Sequence, residues 1–346
     1  MGGFTMKRRL GIVGVLLLII SGILAGCGTG EESTSGSKET EKVIIGYFPN
    51  IDHAPAMVAR ENGYFENELG ENVEIEYKTF PDGGAFMTAL KTGEIHAGLV
   101  GPGPVMNNYT NGADVKIIAG ASSGGTHIVA SKESGIETID DFEGKTFITP
   151  GVGCTHDVQM ETFLQDFGLE SARIGGTLKH VTGNPAQYAG MFESGKVDIA
   201  AVPEPWASQL VKDVGAKIIV DSKEISYGET LPNTILVTSN KAIDDDKALI
   251  ENIVKAHASA VSFINENPEE AKQITMDSIK EITNQELDKD IVDMAWEKIN
   301  YTTEVDQETV QAFANSSFEL KFLKEQPDFA NLIDLQFLGS QTASVE

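Results

Sequence analysis

Basic residues are scarce in this chain of 346 residues, which carries 26 Lys and Arg against 52 Asp and Glu and has a formal net charge of −26. A nucleic-acid-binding protein needs the opposite balance, because much of its affinity comes from neutralising phosphates. The deficit therefore excludes nucleic acid as a partner. An anionic ligand would have to be held by local donors, chiefly backbone N–H groups at helix N-termini, since the net charge repels it.

Cysteine is equally rare, with only Cys27 and Cys154 in the sequence. Two cysteines so far apart give neither a disulfide framework nor a paired-cysteine metal motif. The sequence also lacks a nucleophile elbow and a phosphate loop of the P-loop type, and no motif activates the thiol of Cys154. We therefore expect no cofactor, no bound metal and no enzyme activity.

Long apolar runs are confined to the N-terminus. Three basic residues at positions 7–9 precede an uncharged apolar stretch at 10–25, which ends at Gly26-Cys27. This is the pattern of a secretory signal. The stretch is about as long as the shortest membrane-spanning helices, so an uncleaved anchor is the alternative, but the small residues before Cys27 favour processing.

Residues 24–27, Leu-Ala-Gly-Cys, resemble the lipobox of bacterial lipoproteins. The resemblance implies cleavage before Cys27 and a lipid on its sulfur, which would anchor the mature protein to the membrane without spanning it. Removal of residues 1–26 would take the formal net charge from −26 to −29. Residues 27–42 are dominated by Gly, Ser, Thr and Glu, which predicts a flexible tether.

From Val43 onward roughly 300 residues remain, enough for two ordinary domains. Short β-branched apolar runs alternate with helical stretches, which predicts an α/β fold with mainly parallel sheets. The predicted strands are residues 43–48, 73–80, 97–101, 115–121, 126–131, 145–151, 198–203, 217–221 and 234–239. After about Thr238 we expect only helices, at residues 245–266, 268–281, 285–300 and 307–324.

Several predicted helices follow directly from a strand and begin with residues that favour helix starts. These residues are Asp82, Gly103-Pro104, Thr155, Asn184-Pro185 and Glu204-Pro205. Each such turn leaves backbone N–H groups free at the end of a strand. Because ligands of open α/β sheets bind beyond the carboxyl ends of the strands, we predict the pocket at these turns. Ordinary capping would explain any one of them, so only their convergence would make a site.

Four segments carry a resemblance to a known family. They are GYFPNIDHAPAMVARENGYF (46–65), ALKTGEIHAGLVGPGP (89–104), GKTFITPGVGCTHDV (144–158) and ESGKVDIAAVPEPWAS (193–208). They resemble, in the same order, the nitrate, sulfonate and taurine group of periplasmic solute-binding proteins, and most of all its aliphatic sulfonate-binding members. The resemblance implies a periplasmic-binding-protein type II fold of two α/β lobes joined by two hinge crossings. The implied first lobe is residues 43–121 and 230–346 with a helical tail, and the second is residues 122–229.

The same resemblance implies a function. The chain would be a monomeric, lipid-anchored receptor outside the cytoplasm that passes a small organic anion to the permease of an ABC importer. An aliphatic sulfonate or taurine is the expected solute, with nitrate, bicarbonate and a thiamin pyrimidine precursor as alternatives.

In the first lobe, the resemblance places Asn50 and His53 in the ligand cleft, between a strand and a helix. His53 has a second interpretation as a capping or surface residue. Asp52 is expected to be structural, since a carboxylate would repel a sulfonate. Pro102 and Gly103 are predicted to form a wall of the pocket, where glycine lets the backbone approach a ligand.

In the second lobe, the turn Gly153-Cys154-Thr155-His156 is the most specific local feature, and we expect it to hold the anionic head group. Sulfonate-binding members often carry Asn at the position of Cys154, which is a departure from the family pattern. Thr126, at the end of the Gly-rich segment predicted to be a hinge, has a hydroxyl available for the ligand.

Glu204 and Trp206 complete the predicted site, each with two interpretations. Glu204 either caps the following helix or binds an amino group of a zwitterion such as taurine. Trp206 either forms a flat wall for an alkyl chain or packs between helices. Trp296, by contrast, lies in a helical apolar pattern and is predicted to be core.

Two other classes of function are possible from residue types alone. His53, Cys154 and His156 are side chains that an enzyme uses as nucleophile or base. The same three with His127 would form a metal site if they met, because histidine and thiolate suit zinc. No pair of them has the spacing typical of a zinc site.

Overall fold

The computed structural model describes residues 41–329 and 331–339. The predicted signal peptide, the lipobox with Cys27 and nearly all of the predicted tether lie outside the described residues.

No helix in these two ranges is both long and apolar enough to cross a membrane.

The described part of the chain contains eleven strands and twelve α-helices. The strands are β1 Glu41–Tyr47, β2 Val73–Thr79, β3 Ala97–Val100, β4 Lys116–Gly124, β5 Thr126–Ala130, β6 Thr146–Thr149, β7 Lys179–Thr182, β8 Ile199–Pro203, β9 Lys217–Val220, β10 Thr234–Thr238 and β11 Ile299–Tyr301. The helices are α1 Ala54–Glu61, α2 Tyr64–Leu69, α3 Gly83–Thr92, α4 Pro102–Thr110, α5 Thr155–Asp166, α6 Tyr188–Glu193, α7 Trp206–Val214, α8 Asn240–Asp245, α9 Lys247–Glu266, α10 Pro268–Thr283, α11 Lys289–Trp296 and α12 Gln307–Glu319. Short 3-10 helices lie at Ile51–His53, Lys132–Ser134, Ile139–Phe142 and Pro185–Gln187.

The strands form two sheets. The first has the order β11-β4-β10-β3-β1-β2 and the second the order β7-β6-β8-β5-β9. The central strands β3, β5, β8 and β10 are buried along their whole length, as expected for strands covered by helices on both faces. We refer to the parts built on these sheets as the first and second lobes. The α/β prediction is confirmed.

The sheets are mixed rather than mainly parallel. Strand β1 pairs in parallel with β2 and β3, and β6 pairs in parallel with β7 and β8. The strands next to the crossings between the sheets, β4, β5 and β10, pair antiparallel with their neighbours. The prediction of parallel pairing is therefore correct for the strand–helix–strand units. It is wrong for the strands where the chain passes from the first sheet to the second and returns.

The first crossing occurs at Gly125, because β4 remains in the first sheet to Gly124 and β5 enters the second at Thr126. Gly124 and Gly125 have φ values of 83° and 76°, which side chains other than glycine rarely adopt. The chain returns to the first sheet between β9 and β10. The exact lobe boundaries, at 121/122 and 229/230, remain predictions.

All nine predicted strands are present, with ends shifted by a few residues, but two strands were missed. Strand β11 occupies the end of the helix predicted at 285–300, where Ile299 and Tyr301 are buried and Asn300 is exposed. This alternation has the two-residue period of a strand, so helix α11 ends at Trp296. Strand β7 is mostly exposed and has no apolar run to reveal it. Trp296 is buried in the core, as predicted.

Candidate functional site

A cleft with a cavity volume of about 70 Å³ lies between the two lobes. It is lined by Phe48, Asn50, Asp52, His53, Phe80, Pro81, Asp82, Gly83, Val100, Gly101, Pro104, Pro150, Cys154, Thr155, His156, Asn184, Pro185, Pro203 and Asn233. These residues lie at or just beyond the carboxyl ends of β1, β2, β3, β6, β7 and β8, or just before β10, which runs the opposite way. The cleft is therefore at the strand ends where the sequence places it.

Local helix-start chemistry shapes much of this lining. Asp82 caps α3 by accepting a hydrogen bond from the backbone N–H of Ala85 at 2.9 Å. Asn184 accepts one from the N–H of Ala186 at 3.1 Å and opens the short 3-10 helix before α6. The chain turns sharply at each of these caps, which brings the turn to the mouth of the cleft.

The turn after β1 carries a buried carboxylate. Oδ2 of Asp52 accepts a hydrogen bond from the hydroxyl of Thr234 at 3.0 Å, while Oδ1 has no partner among the described residues. Burial raises the pKa of Asp52 to about 7, although the bond from Thr234 and the nearby backbone N–H groups of Asp52 and His53 oppose this shift. Asp52 was expected to be only structural, and the structure also places it in the cleft lining.

Two histidines, the buried His53 and the partly buried His156, line the cleft from opposite lobes. Burial, with a smaller contribution from the neighbouring His156, lowers the pKa of His53 to about 3. Burial also lowers the pKa of His156 to about 4. Both rings are thus neutral near pH 7. Nδ1 of His53 and Nε2 of His156 are buried without a partner in the part of the chain that the structure describes.

The turn before α5 supplies the second-lobe side of the cleft. Oγ1 of Thr155 accepts a hydrogen bond from the N–H of Gly103 at 3.2 Å, which leaves the Thr155 hydroxyl proton available. Gly153 donates its N–H to Oδ2 of Asp157 at 2.8 Å, so one of the donors expected for a ligand is already used. Burial, reinforced by Asp157, raises the pKa of the Cys154 thiol to about 12, which makes that thiol unreactive.

Glycines in the turn before α4 permit the two lobes to touch. A Cβ atom on Gly101 would lie 2.3 Å from Oγ1 of Thr155, and one on Gly103 would lie 2.7 Å from the Thr155 backbone nitrogen. The close approach that these glycines allow is therefore to the turn before α5, not directly to a ligand. Across the cleft, Nε1 of Trp206 donates to Oδ1 of Asn50 at 2.7 Å.

Five of the predicted ligand residues line the cleft, namely Asn50, His53, Cys154, Thr155 and His156. The other six lie outside its lining: Pro102, Gly103, Thr126, Gly153, Glu204 and Trp206. Pro102 is buried at the start of α4, and Gly153 faces a neighbouring groove. Trp206 is buried in the core between the helices, with only its ring N–H directed to Asn50.

Of the two interpretations of Glu204, helix capping and amine binding, the structure shows the contacts of a cap at the start of α7. It accepts hydrogen bonds from the N–H and the hydroxyl of Ser208 in the first turn of α7, at 3.0 and 2.8 Å. Nε2 of His127 lies 3.2 Å from the same carboxylate. Thr126 accepts a hydrogen bond from the side-chain amide of Asn233 at 2.9 Å, so its hydroxyl belongs to the crossing between the sheets.

Asn233 is the main lining residue that the sequence did not reveal. Its Nδ2 donates to the carbonyl of Gly124 at 2.6 Å and to Thr126, while its Oδ1 is buried without a partner among the described residues. It precedes β10 and reaches the cleft only because the chain returns to the first sheet there. Phe48 and Phe80 were also missed, although each is the last residue of a predicted strand and that position was a usable signal.

The four residues of the possible metal site do not gather into one cluster. Within the described ranges, the one group of side chains close enough together to hold a metal ion is Asp157, Glu161 and His180. The guanidinium of Arg173 donates to Glu161 at 2.7 Å, so an internal cation already compensates this group. We refer to Asp157, Glu161, Arg173 and His180 as the α5 cluster.

Comparisons with known proteins agree with this architecture. A model of the NMT1-like family matches residues 36–278. The "Putative aliphatic sulfonates-binding protein" of Bacillus subtilis (strain 168) is 24% identical over 344 residues, which cover 96% of each chain. The formylaminopyrimidine-binding protein of Halalkalibacterium halodurans is 25% identical over 272 residues, covering 77% of this chain and 78% of the relative.

Among solved structures, the alkanesulfonate-binding protein SsuA from Xanthomonas axonopodis pv. citri bound to MOPS superposes with a TM-score of 0.73 and 18% identity, over 86% of this chain and 99% of its own. This likeness shows the two-lobed fold. The relatives named here are binding proteins and not enzymes, so the enzyme interpretation of His53, Cys154 and His156 is set aside.

Proposed function

The chain belongs to the NMT1-like family, and from that premise we propose that it is an extracytoplasmic receptor that binds a small solute and delivers it to an ABC importer. The proposed solute is an aliphatic sulfonate or taurine. This proposal draws on the sulfonate-binding relative that spans 96% of the chain and on a cleft whose polar groups suit a small ligand.

The observation that carries the proposal is the set of neutral donors that line the cleft. The hydroxyl of Thr155 lies at the first residue of α5, next to the free backbone N–H groups of that helix end. Nε2 of His156 and Nδ1 of His53 are buried there without partners within the described ranges. Oriented neutral donors and a helix N-terminus hold an anion without a fixed positive charge.

The same cleft also has apolar surface for an organic chain, and the ring of Phe48 lies 5.2 Å from that of His53, centroid to centroid. Phe48, Phe80 and Val100 supply apolar surface next to the polar groups. Nitrate and bicarbonate have no apolar part to use this surface, so both are weaker candidates. A thiamin pyrimidine precursor remains the second candidate, because aromatic walls suit a heterocycle and a relative of this chain is named for a formylaminopyrimidine.

A thermal-shift panel tests the ligand class. Alkanesulfonates, taurine, nitrate, bicarbonate, sulfate and pyrimidine thiamin precursors would each be added at saturating concentration. A ligand at a hundred times its dissociation constant stabilises the folded state by about 2.7 kcal/mol, which is easily detected. Stabilisation by nitrate or by a pyrimidine, without any by a sulfonate, would reject the proposed solute.

We further propose that the two lobes close on the solute like a clamp. The bonds from Gly103 to Thr155 and from Trp206 to Asn50 join residues of opposite lobes, so opening of the proposed clamp would break them. Glycine at both 124 and 125 permits the backbone rotation that opening requires. Small-angle scattering should give a smaller radius of gyration with solute, and identical curves at saturation would reject the clamp.

Lipid attachment at Cys27 is the last part of the proposal. It is supported by the Leu-Ala-Gly-Cys sequence at the end of the apolar run. Replacement of Cys27 by serine should release or misprocess the protein, as followed by membrane fractionation. Maturation that is unaffected by this change and by globomycin would exclude the lipid anchor.

A further inference from the structure

The unpaired buried atoms of the cleft include acceptors as well as donors. Oδ1 of Asp52 and Oδ1 of Asn233 are both buried, both residues line the cleft, and neither atom has a hydrogen-bond partner in the described part of the chain. Asp52 and Asn233 are 4% and 3% exposed. A buried polar atom left unpaired costs free energy comparable to a lost hydrogen bond, so the two acceptors together need explaining.

The orientation of each acceptor oxygen is fixed by the hydrogen bonds that the other polar atom of the same side chain makes. Both hydrogens of the Asn233 amide group are taken up by the carbonyl of Gly124 and the hydroxyl of Thr126, which leaves the oxygen on the opposite side. The other carboxylate oxygen of Asp52 is held by Thr234, the residue that follows Asn233. The two free acceptors thus belong to one wall of the cleft, beside the crossing between the sheets.

Within the described cleft lining, no Lys or Arg side chain balances this wall. The described residues that line the cleft include the carboxylates of Asp52 and Asp82 but neither Lys nor Arg. The Asp82 carboxylate is already used as the cap of α3. The Nε2 atom of His53 lies 3.9 Å from Oδ2 of Asp52, too far for a hydrogen bond. A sulfonate, which has only acceptor oxygens, satisfies none of these atoms.

We propose that the solute carries an amine, which donates N–H groups to Oδ1 of Asp52 and Oδ1 of Asn233 while its other end meets the donors at Thr155 and His156. The inference rests on the proposed solute-binding function and narrows it. Within the sulfonate class it selects an aminosulfonate over a plain alkanesulfonate. It also assigns the amine to Asp52 in place of Glu204, which was one of the two sequence interpretations of Glu204.

Calorimetric titration of the unmodified protein with matched solutes provides the first test. Taurine and propane-1-sulfonate have nearly the same shape and differ by an ammonium group in place of a methyl group. We expect taurine to bind at least tenfold more tightly. Equal affinities would overturn the amine inference and leave sulfonate binding intact.

Amines that lack a sulfonate test the amine inference separately from the proposal that the solute is a sulfonate. Binding of a 4-aminopyrimidine, with at least tenfold weaker binding of its 4-methyl analogue, would support the amine inference while rejecting the sulfonate as the solute. If none of the four compounds binds at millimolar concentration, the amine inference is rejected.

The variant Asp52→Asn tests the position of the amine. Asparagine retains an acceptor for Thr234 and places an N–H donor where the free oxygen was, so the preference for taurine over propane-1-sulfonate should fall at least tenfold. Asp198→Asn is the matched control, because Asp198 accepts a backbone bond from Thr146 at the opposite ends of the strands. An unchanged preference in a folded Asp52→Asn protein would overturn the assignment.

Discussion

The cleft and the α5 cluster both bury carboxylates and histidine, yet they treat them in opposite ways. In the α5 cluster, Glu161 accepts hydrogen bonds from Arg173 at 2.7 Å and from Ser171 at 3.0 Å. In the cleft, Asp52 keeps one oxygen without a partner among the described residues. Asp157 of the α5 cluster also has an Oδ1 atom without a hydrogen-bond partner among the described residues, but Nε2 of His180 lies 3.4 Å from it and the nearby Arg173 favours its charged form. The difference between the two regions is therefore the internal cation, which the described lining of the cleft lacks.

The comparison extends to histidine. Nε2 of His180 in the α5 cluster lies 2.7 Å from the Thr149 hydroxyl, and its ring stacks on Phe147 at 4.5 Å between centroids. Burial lowers the pKa of His180 to about 4, as it does for His156, and lowers the pKa of His53 to about 3. His53 and His156 each retain a ring nitrogen without a partner in the described part of the chain. A lowered pKa therefore does not identify a site by itself, whereas an unpaired atom in a cleft does.

The largest expected effect comes from placing an uncompensated carboxylate on the donor side of the cleft. His156→Asp should weaken binding of the best solute at least a hundredfold, because like charges about 4 Å apart repel by about 4 kcal/mol at an effective dielectric constant of 20. Titration calorimetry measures the loss. His156→Gln, which keeps a donor, should lose no more than about tenfold. Similar affinities for the two variants would place the anionic end elsewhere, with the turn at Asn50 and His53 as the next candidate.

Removing the compensating cation from the α5 cluster should instead unfold the protein more easily. Arg173→Met leaves Glu161, which is 1% exposed, without its charge partner. We expect a loss of about 3 kcal/mol in the free energy of unfolding, measured by urea denaturation.

Two further variants test that interpretation of the α5 cluster. Adding Glu161→Gln to Arg173→Met should recover part of the lost stability, since the buried charge is then gone. Lys217→Ala, which breaks an exposed pair with Glu137, should cost less than about 1 kcal/mol. An equal loss of unfolding free energy for Lys217→Ala and Arg173→Met would show that the buried ion pair is no more important for stability than the exposed one.

The residues of the cleft show which features could be predicted from the sequence. Asp82, Thr155 and Asn184 were identified because helix-start chemistry is local, and the resemblance located the turns at His53 and His156. The mixed sheets were not predicted, since the direction of β4, β5 and β10 depends on how the chain returns between lobes. Pairings across the cleft are equally non-local.

Some hydrogen-bonded pairs of the site join residues that are far apart in the sequence, and local sequence patterns cannot predict such pairs. The bond between Trp206 and Asn50 spans 156 residues, and the role of Asn233 depends on Gly124 and Thr126, more than 100 residues before it. Composition predicted a site made of neutral donors, and it gave no indication that the same cleft also holds free acceptors.

The pH dependence of stability should reveal the uncompensated carboxylate directly. Asp52 has a pKa of about 7 in the folded protein and about 3.9 when unfolded, so between these values the folded state holds a proton that the unfolded state has lost. Its contribution to stability therefore falls as the pH rises through that window. Asp52→Asn lacks this effect.

Ligand-free urea denaturation of both proteins at pH 5, 6, 7 and 8 isolates the contribution of Asp52. The histidines, whose lowered pKa values make stability fall as the pH drops below about 6.5, are present in both proteins and largely cancel. Relative to the parent, the variant should gain about 2 kcal/mol between pH 5 and pH 7 and little above that. Parallel stability curves would show that Asp52 is compensated after all.

The smallest effect is expected at the bond that joins the lobes across the cleft. Trp206→Phe keeps an aromatic ring in the core and removes the N–H that donates to Asn50 at 2.7 Å. In the proposed clamp this bond forms only in the closed arrangement, so its loss should weaken solute binding about threefold to tenfold, the equivalent of one ordinary hydrogen bond. Trp296→Phe is the matched control, since that ring packs on Tyr301 within the first lobe at 4.9 Å. The control should lower the unfolding temperature without changing affinity. If the two variants weaken binding equally, the effect comes from general loss of packing, and the bond between Trp206 and Asn50 has no special part in closing the cleft.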